Sequence, residues 1–172
     1  VYGYRKYFTD IDRNAVLRLS RDGITEISNY GMYDFFRDEF GSIKTSTSEG
    51  KIVGGWDIHN KQYLVSLQNT TTGNYSTLSF DETVNGWTSF FTYKPDQVLS
   101  IRSDFYSLYG GKLWKHYDTS VERGSFYGTT SSTSITFIFN PSVSLVKNFK
   151  TINYEGSNGW QVDSFISDAT GP

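Results

Sequence analysis

The chain has 172 residues, which is enough for one domain with its own hydrophobic core. Aromatic residues make up 17% of it, with 13 Tyr and 13 Phe against a single Met, and this composition favours β-structure over a helix-rich interior. A net charge of −2 without a run of Lys or Arg argues against nucleic-acid binding, the lack of long apolar stretches argues against a membrane span, and the absence of Cys excludes disulfides.

We expect a single β-rich domain over residues 1–172. The first residue is Val, and VYGYRKYF opens directly in strand-like aromatic sequence. We therefore expect this chain to be a fragment of a longer polypeptide.

The first predicted unit is a three-stranded meander in RKYFTDIDRNAVLRLSRDGITEIS, residues 5–28. Ala15, Leu17 and Leu19 alternate with other side chains, as in a strand. Asp22 and Gly23 supply the positive φ that a tight hairpin needs, so they should set the register between the second and third strands.

One short helix is predicted near residues 32–40. Met32, Phe35, Phe36 and Phe40 recur at helical spacing in GMYDFFRDEF, so one face should be apolar. The Ser, Thr and Gly residues of the following stretch, 41–51, predict a flexible surface loop.

A second and a third meander follow. The strands of the second are KQYLVSL, YSTLSF and WTSFFTY, which are separated by turn-type clusters. Those of the third are VLSI, FYSLY and KLWKHY, with Gly110 and Gly111 forming a two-residue hairpin turn.

A fourth meander is predicted in the last third of the chain, with TSITFIF, NFKTINY and WQVDSFI as its strands. Four such units in 172 residues amount to about 43 residues each, the size of a propeller blade. The sequence thus predicts an all-β fold of successive antiparallel meanders in a propeller-like arrangement. A β-sandwich is the alternative, since no strict repeat period relates Trp56, Trp87, Trp114 and Trp160.

No segment carries a catalytic, cofactor-binding or metal-binding motif, and we predict that the chain is not an enzyme. Asp10, Asp12 and Asn14 have the spacing that opens a calcium loop, but the glycine and the glutamate of that motif are missing, so an Asx turn is favoured. His59 and His116 have no ligand at helical spacing. A pair among the 18 acidic residues could still serve glycan hydrolysis.

Asn-Gly-Trp occurs twice, ending at Trp87 and at Trp160. Exposed tryptophans at such corners could stack on sugar rings, which makes these two the candidate carbohydrate-binding residues. The favoured interpretation is a tight turn that delivers each indole into the core, because strand-like residues follow both directly.

Four phrases are spread along most of the length of the chain: YFTDIDRNAVLRLSRDGITEISNYGMYDFFRD, NGWTSFFTYKPD, SLYGGKLWKHYD and NPSVSLVKNFKTINYEGSNGW. Together they resemble a segment of large virion structural proteins of tailed phages, such as marine cyanophage tail proteins and the tail-muzzle proteins of crAss-like phages. The resemblance implies a β-rich portion of a multi-subunit assembly located in the virion tail. It carries no catalytic motif.

Three functions follow as hypotheses. The first is a structural tail component, a homo-oligomer or part of a multi-subunit ring, whose partners are other virion tail proteins and whose cohesion comes from buried Tyr and Phe. The second is a carbohydrate-binding module for a host-surface glycan, using Trp87 and Trp160. The third is a glycan-degrading enzyme. No cofactor, nucleic acid or membrane span is expected in the favoured hypothesis.

Overall fold

The computed structural model describes residues 3–45, 50–156 and 158–166. The chain divides into two compact units, Val1–Ser134 and Ile135–Pro172. Every helix and strand of the described residues belongs to the first unit. Within the same residues, no helix is long and apolar enough to cross a membrane. The single-domain organisation expected from the sequence stays a prediction.

The first sheet is the predicted three-stranded meander. Ser20 pairs with Gly23, which leaves a two-residue turn between the second and third strands, and Gly23 adopts a φ of 104°. A positive φ is open to Gly at little cost, so this residue allows the tight turn, whereas Asp22, expected to share the positive φ, does not adopt one. The strands are β1 (Lys6–Asp10), β2 (Ala15–Ser20) and β3 (Gly23–Glu26).

The predicted helix is present but longer than expected. After a 3-10 turn at Ile27–Asn29, α1 spans Tyr33–Thr45 instead of residues 32–40. Phe36, Phe40 and Ile43 lie on one face at helical spacing and are buried. Burial of Ile43 extends the helix by more than a turn into the stretch that the sequence assigned to a flexible loop; residues 46–49 of that loop lie outside the described residues.

The second sheet has four antiparallel strands in the order of the chain, one more than predicted. The additional strand comes first and contains Gly54 and Gly55, which weaken a strand signal in the sequence. The strands are β4 (Gly50–Asp57), β5 (Gln62–Asn69), β6 (Tyr75–Asp81) and β7 (Gly86–Phe91).

Close packing explains the two glycines of β4. A Cβ atom at position 54 would lie 2.7 Å from the hydroxyl oxygen of Tyr63, and one at position 55 would lie 2.3 Å from Cγ2 of Val98. Both distances are shorter than a van der Waals contact. The glycines therefore allow a neighbouring strand and a neighbouring sheet to approach the backbone of β4.

The third sheet is the predicted third meander, and a small hairpin follows it. Gly110 and Gly111 have φ angles of 59° and 73°, which fits the two-residue turn expected from the sequence. The strands are β8 (Gln97–Ile101), β9 (Asp104–Tyr109) and β10 (Lys112–Lys115), and the hairpin is β11 (Ser125–Phe126) with β12 (Thr129–Thr130).

The second sheet is the middle layer of the first unit. On one face it packs against α1 and the first sheet, and on the other against the third sheet. Tyr63 and Val65 of β5 belong to the first of these cores, while Leu64, between them, meets Phe105 in the second. Adjacent residues of a strand point to opposite faces, so β5 is buried on both sides.

The fourth predicted meander is not formed. Residues 135–156 and 158–166 contain no helix or strand. Two of the expected turns are present, one in which the amide of Leu145 donates to the carbonyl oxygen of Ser142 at 3.0 Å and one at Gly159, with a φ of 108°. The runs between the turns lack a paired neighbour, and a strand without a partner has no ladder of hydrogen bonds to hold it.

The all-β class is confirmed, since antiparallel sheets dominate and α1 is the one α-helix among the described residues. The propeller-like arrangement is not confirmed, and the β-sandwich alternative stays open.

The close approach at β4 can be tested by the substitution Gly55→Ala. We expect it to lower the free energy of unfolding by about 1–3 kcal/mol, because the new methyl group overlaps Val98, a side chain with little rotamer freedom. Gly41→Ala is the matched control, because its Cβ would meet nothing within 4 Å and it lies in α1, where Ala is favoured. Urea unfolding measures both, and an equal effect of the two changes would contradict the packing argument.

Candidate functional site

Trp87, one of the two candidate sugar-stacking residues, is partly buried and packs against the core between α1 and the second sheet. Its ring centroid lies 4.7 Å from that of Phe36 and 5.3 Å from that of Phe80. Its indole N–H donates to the carbonyl oxygen of Ile27 at 3.0 Å. With these contacts Trp87 joins the helix, the 3-10 turn and the sheet.

Trp160, the other candidate, is 44% exposed and follows the turn at Gly159. It lies in the second unit, whereas Trp87 lies in the first. The sugar-stacking role of the pair stays a prediction; of the two residues, Trp160 is the one with a largely accessible ring.

A buried polar cluster surrounds His116, directly after β10. Its Nε2 lies 2.7 Å from Oγ of Ser107, and that same oxygen lies 2.9 Å from the hydroxyl of Tyr127. Burial among the rings of Phe105 and Tyr93 lowers the pKa of His116 to about 4 from its ordinary value of 6.5, so the imidazole is neutral near pH 7.

A serine beside a histidine is also the first contact of a nucleophilic triad. Ser107, however, is fully buried, so a substrate would not reach its oxygen. The cluster instead satisfies polar groups that connect β9 with the segments around positions 116 and 127.

A second polar cluster joins the turn after β4 to the segment that follows β10. Asp57 is buried and accepts a hydrogen bond from the hydroxyl of Tyr117, and its other oxygen accepts from the amides of His59 and Asn60 at 2.9 and 3.3 Å. The ring of His59 stacks on Tyr117 with centroids 4.3 Å apart. Burial and the nearby carboxylate raise the pKa of Tyr117, which therefore stays protonated as a donor.

Glu82 forms the main charged contact between the first and second sheets. It pairs with Arg18 of β2, lies 3.7 Å from the guanidinium of Arg5, and accepts a hydrogen bond from the hydroxyl of Tyr7 at 2.5 Å. Burial, together with this bond to Glu82, raises the pKa of Tyr7. Because Glu82 and Arg18 are both largely shielded from solvent, losing one would leave the other buried without its partner.

The calcium-like spacing at the β1–β2 turn forms an Asx turn. Oδ1 of Asp10 accepts from the backbone amides of Asp12 and Arg13 at 3.1 and 3.2 Å, and Asn14 has a φ of 55°. Across the part of the chain that the structure describes, no group of three or more His, Cys, Asp or Glu residues is placed to hold a metal ion.

A cleft of about 330 Å³ lies beside the first and second sheets. Its walls include Tyr7, Phe8 and Trp56, and the glycines of β4 form part of its lining. Tyr7 stacks on Tyr63 at a centroid distance of 4.5 Å and lies 5.7 Å from Trp56. These rings are held by one another, so the cleft is a gap within an aromatic stack.

Exposed apolar side chains are concentrated in the C-terminal segment, which we define as residues 135–156 and 158–166. Ile138 is 94% exposed, Val146 104% and Ile166 95%. Such a concentration of exposed apolar side chains is typical of an interaction surface and is unusual for a monomer. The other exposed apolar or aromatic residues of the segment are Ile135, Phe137, Phe139, Val143, Leu145, Phe149, Ile152, Tyr154, Trp160, Val162 and Phe165.

Residues 121–170 match the family model of the Crassvirus muzzle protein C-terminal domain. The matched region is 50 of the 172 residues, under a third of the chain, and it contains the β11–β12 hairpin and the C-terminal segment. A search of curated proteins and a search of solved structures found no match. The family match supports a crAss-like phage virion structural protein, and it places the chain in the virion, in association with other virion proteins.

The buried clusters around His116, Asp57 and Glu82 were not found from the sequence. Each joins residues that are far apart in the chain, and nothing in the local pattern marks them as partners. The C-terminal segment, by contrast, was visible as a series of apolar strand-like runs, although its exposure was not.

The role of Trp87 as a core anchor can be tested by Trp87→Phe. We expect a loss of about 1–2 kcal/mol in the free energy of unfolding, because the hydrogen bond to Ile27 and part of the ring contact disappear. Trp114→Phe is the control, since its N–H also donates to a backbone carbonyl, that of Tyr109, but at 3.3 Å in an exposed position. Chemical unfolding should rank the two variants in this order; a greater loss for Trp114→Phe would contradict it.

Acid should weaken the fold through His116. Between pH 6.5 and about 4 the unfolded chain binds a proton on this residue and the folded chain does not, so stability falls as the pH is lowered through this window. The contribution is at most about 3 kcal/mol.

Unfolding free energies measured at pH 7, 5.5 and 4.5 should therefore fall less steeply for His116→Gln than for the wild type. Equal slopes for the two proteins would show that His116 does not titrate as its burial implies.

Proposed function

We propose that this chain is a structural component of the phage tail, where it packs against sister copies and neighbouring tail proteins. The observation that carries the proposal is the family match over residues 121–170, which includes the C-terminal segment with its many exposed apolar side chains. The role is mechanical: the packed sheets of the first unit give stiffness, and the C-terminal segment supplies contact area.

The architecture of the first unit supports such a role. Three sheets and a helix share two cores, and the buried polar side chains of Ser66, Thr77 and Ser107 are hydrogen-bonded. Close-packed interiors of this kind deform little under stress. The sheets and the helix therefore make the first unit stiff.

The chemistry of the exposed surface also fits assembly. Aromatic and aliphatic side chains dominate the exposed part of the C-terminal segment, and burial of such side chains is the main source of stability in permanent protein interfaces. Since the chain has no Cys, cohesion between subunits has to come from packing and hydrogen bonds.

The test is a reconstruction of the intact phage particle at a resolution that separates strands. We expect density for the three sheets and α1 within the tail, in several copies around the tail axis. The capsid shell of the same reconstruction is the internal control, because the same search model should find no site there. A fit only in the capsid, or in no part of the particle, would overturn the tail assignment.

A further inference from the structure

We propose that the C-terminal segment pairs with the same segment of a second copy of this chain and forms a β-sheet shared between the two copies. The inference rests on the proposed function, because it specifies which contact joins the sister subunits. The pairing strands would be residues 135–139, 149–154 and 160–166.

The pattern of side chains in these runs is that of strands. Ile135, Phe137 and Phe139 alternate in the first run, and Trp160, Val162 and Ile166 fall on one face of the third. Ile138 lies on the opposite face of the first run, beside Thr136, and is almost fully exposed, so that run carries an apolar side chain on each face. Strands of this kind are stable when both faces are covered, which places the first run in the interior of the shared sheet.

The backbone of the segment is available for pairing. Among its described residues, the one backbone hydrogen bond is that from the amide of Leu145 to the carbonyl oxygen of Ser142. This bond lies in the turn between the first and second runs, so the turn has formed and the strands beside it have not. An extended chain with free N–H and C=O groups is the element that adds to a sheet in strand-addition complexes.

The exposed area is large enough for a stable contact between copies. From the exposed fractions of its apolar side chains, the segment offers on the order of 1,500 Å² of apolar surface, given that a large aromatic side chain buries roughly 150–250 Å². A standard interface buries roughly 800 Å² on each partner. Pairing of two segments would therefore suffice without a contribution from the sheets of the first unit.

The charges of the segment favour its own copy as the partner. The segment has two positive charges, Lys147 before the second run and Lys150 near its start. It also has two negative charges after that run, Glu155 and Asp163, so its net charge is zero. An antiparallel pair of segments brings the basic end of one copy towards the acidic end of the other. Opposite charges across paired strands are favourable, and the zero net charge leaves no repulsion to oppose association.

The experiment uses the full chain. Light scattering after size exclusion, over a range of concentrations, gives the oligomeric state, and hydrogen exchange read by mass spectrometry gives the protection of each run. We expect a defined oligomer in which the amides of residues 135–139 and 149–154 exchange at least tenfold more slowly than in the dissociated chain.

The decisive variant is Ile138→Lys, which puts a charge into the proposed interior strand. We expect it to raise the dissociation constant at least tenfold and to remove the protection of residues 135–139. Ile24→Lys in β3 is the matched control, since Ile24 is also an exposed isoleucine, at 64%, but lies outside the segment; it should leave both readings unchanged. The thermal unfolding transition of the dissociated chain, measured at low protein concentration, should stay the same in both variants, because neither side chain contributes to the core.

Other outcomes overturn the inference and leave the proposed function standing. One is an oligomer that Ile138→Lys and Ile24→Lys weaken equally, since the copies would then meet elsewhere. Another is a monomer with protected runs, in which the segment would pair within its own chain. A third is association only with a different virion protein, and a fourth is aggregation without a defined stoichiometry. The tail assignment itself fails only in the particle reconstruction.

Discussion

The burial of β5 on both faces is the constraint on which the first unit depends. Tyr63 points towards α1 and the first sheet, whereas Leu64 points towards the third sheet. A shift of one residue in the pairing of β5 would exchange the two sets of side chains and spoil both cores. Register in the second sheet therefore determines how the first and third sheets can pack, and the order of the layers follows from this single strand.

Local signals were enough to predict most of the first unit. The Asp22–Gly23 and Gly110–Gly111 turns follow from the backbone freedom of glycine, which acts within a few residues. Where the predicted secondary structure was wrong, tertiary contacts were stronger than the local conformational preference of the residues. The helix continues past residue 40 because Ile43 finds a buried position, and β4 forms around two glycines because its neighbours need the space.

The candidate site also contains features that local sequence predicts and features that only long-range contacts create. A tryptophan after an Asn-Gly turn can be recognised in a sequence, and the favoured core interpretation of Trp87 agrees with its contacts to Phe36 and Phe80. The cluster of Ser107, His116 and Tyr127 could not be recognised, because it depends on the distance between segments that only the fold brings together. The C-terminal runs show a further limit: alternation tells which residues can form a strand, but the partner of that strand need not be in the same chain.

The linker between β7 and β8 is attached to the second sheet by two buried hydrogen bonds. The carbonyl oxygen of Tyr93 accepts a hydrogen bond from the hydroxyl of Thr77, and that of Pro95 accepts from the side-chain amide of Gln68, each at 2.7 Å and out of contact with water. The linker is thus fastened to the middle of the second sheet instead of hanging between two sheets. A pulling force on the third sheet would act on both of these hydrogen bonds before it could separate β7 from β6. Such an arrangement would spread a load on the third sheet over β5 and β6, the two interior strands of the second sheet.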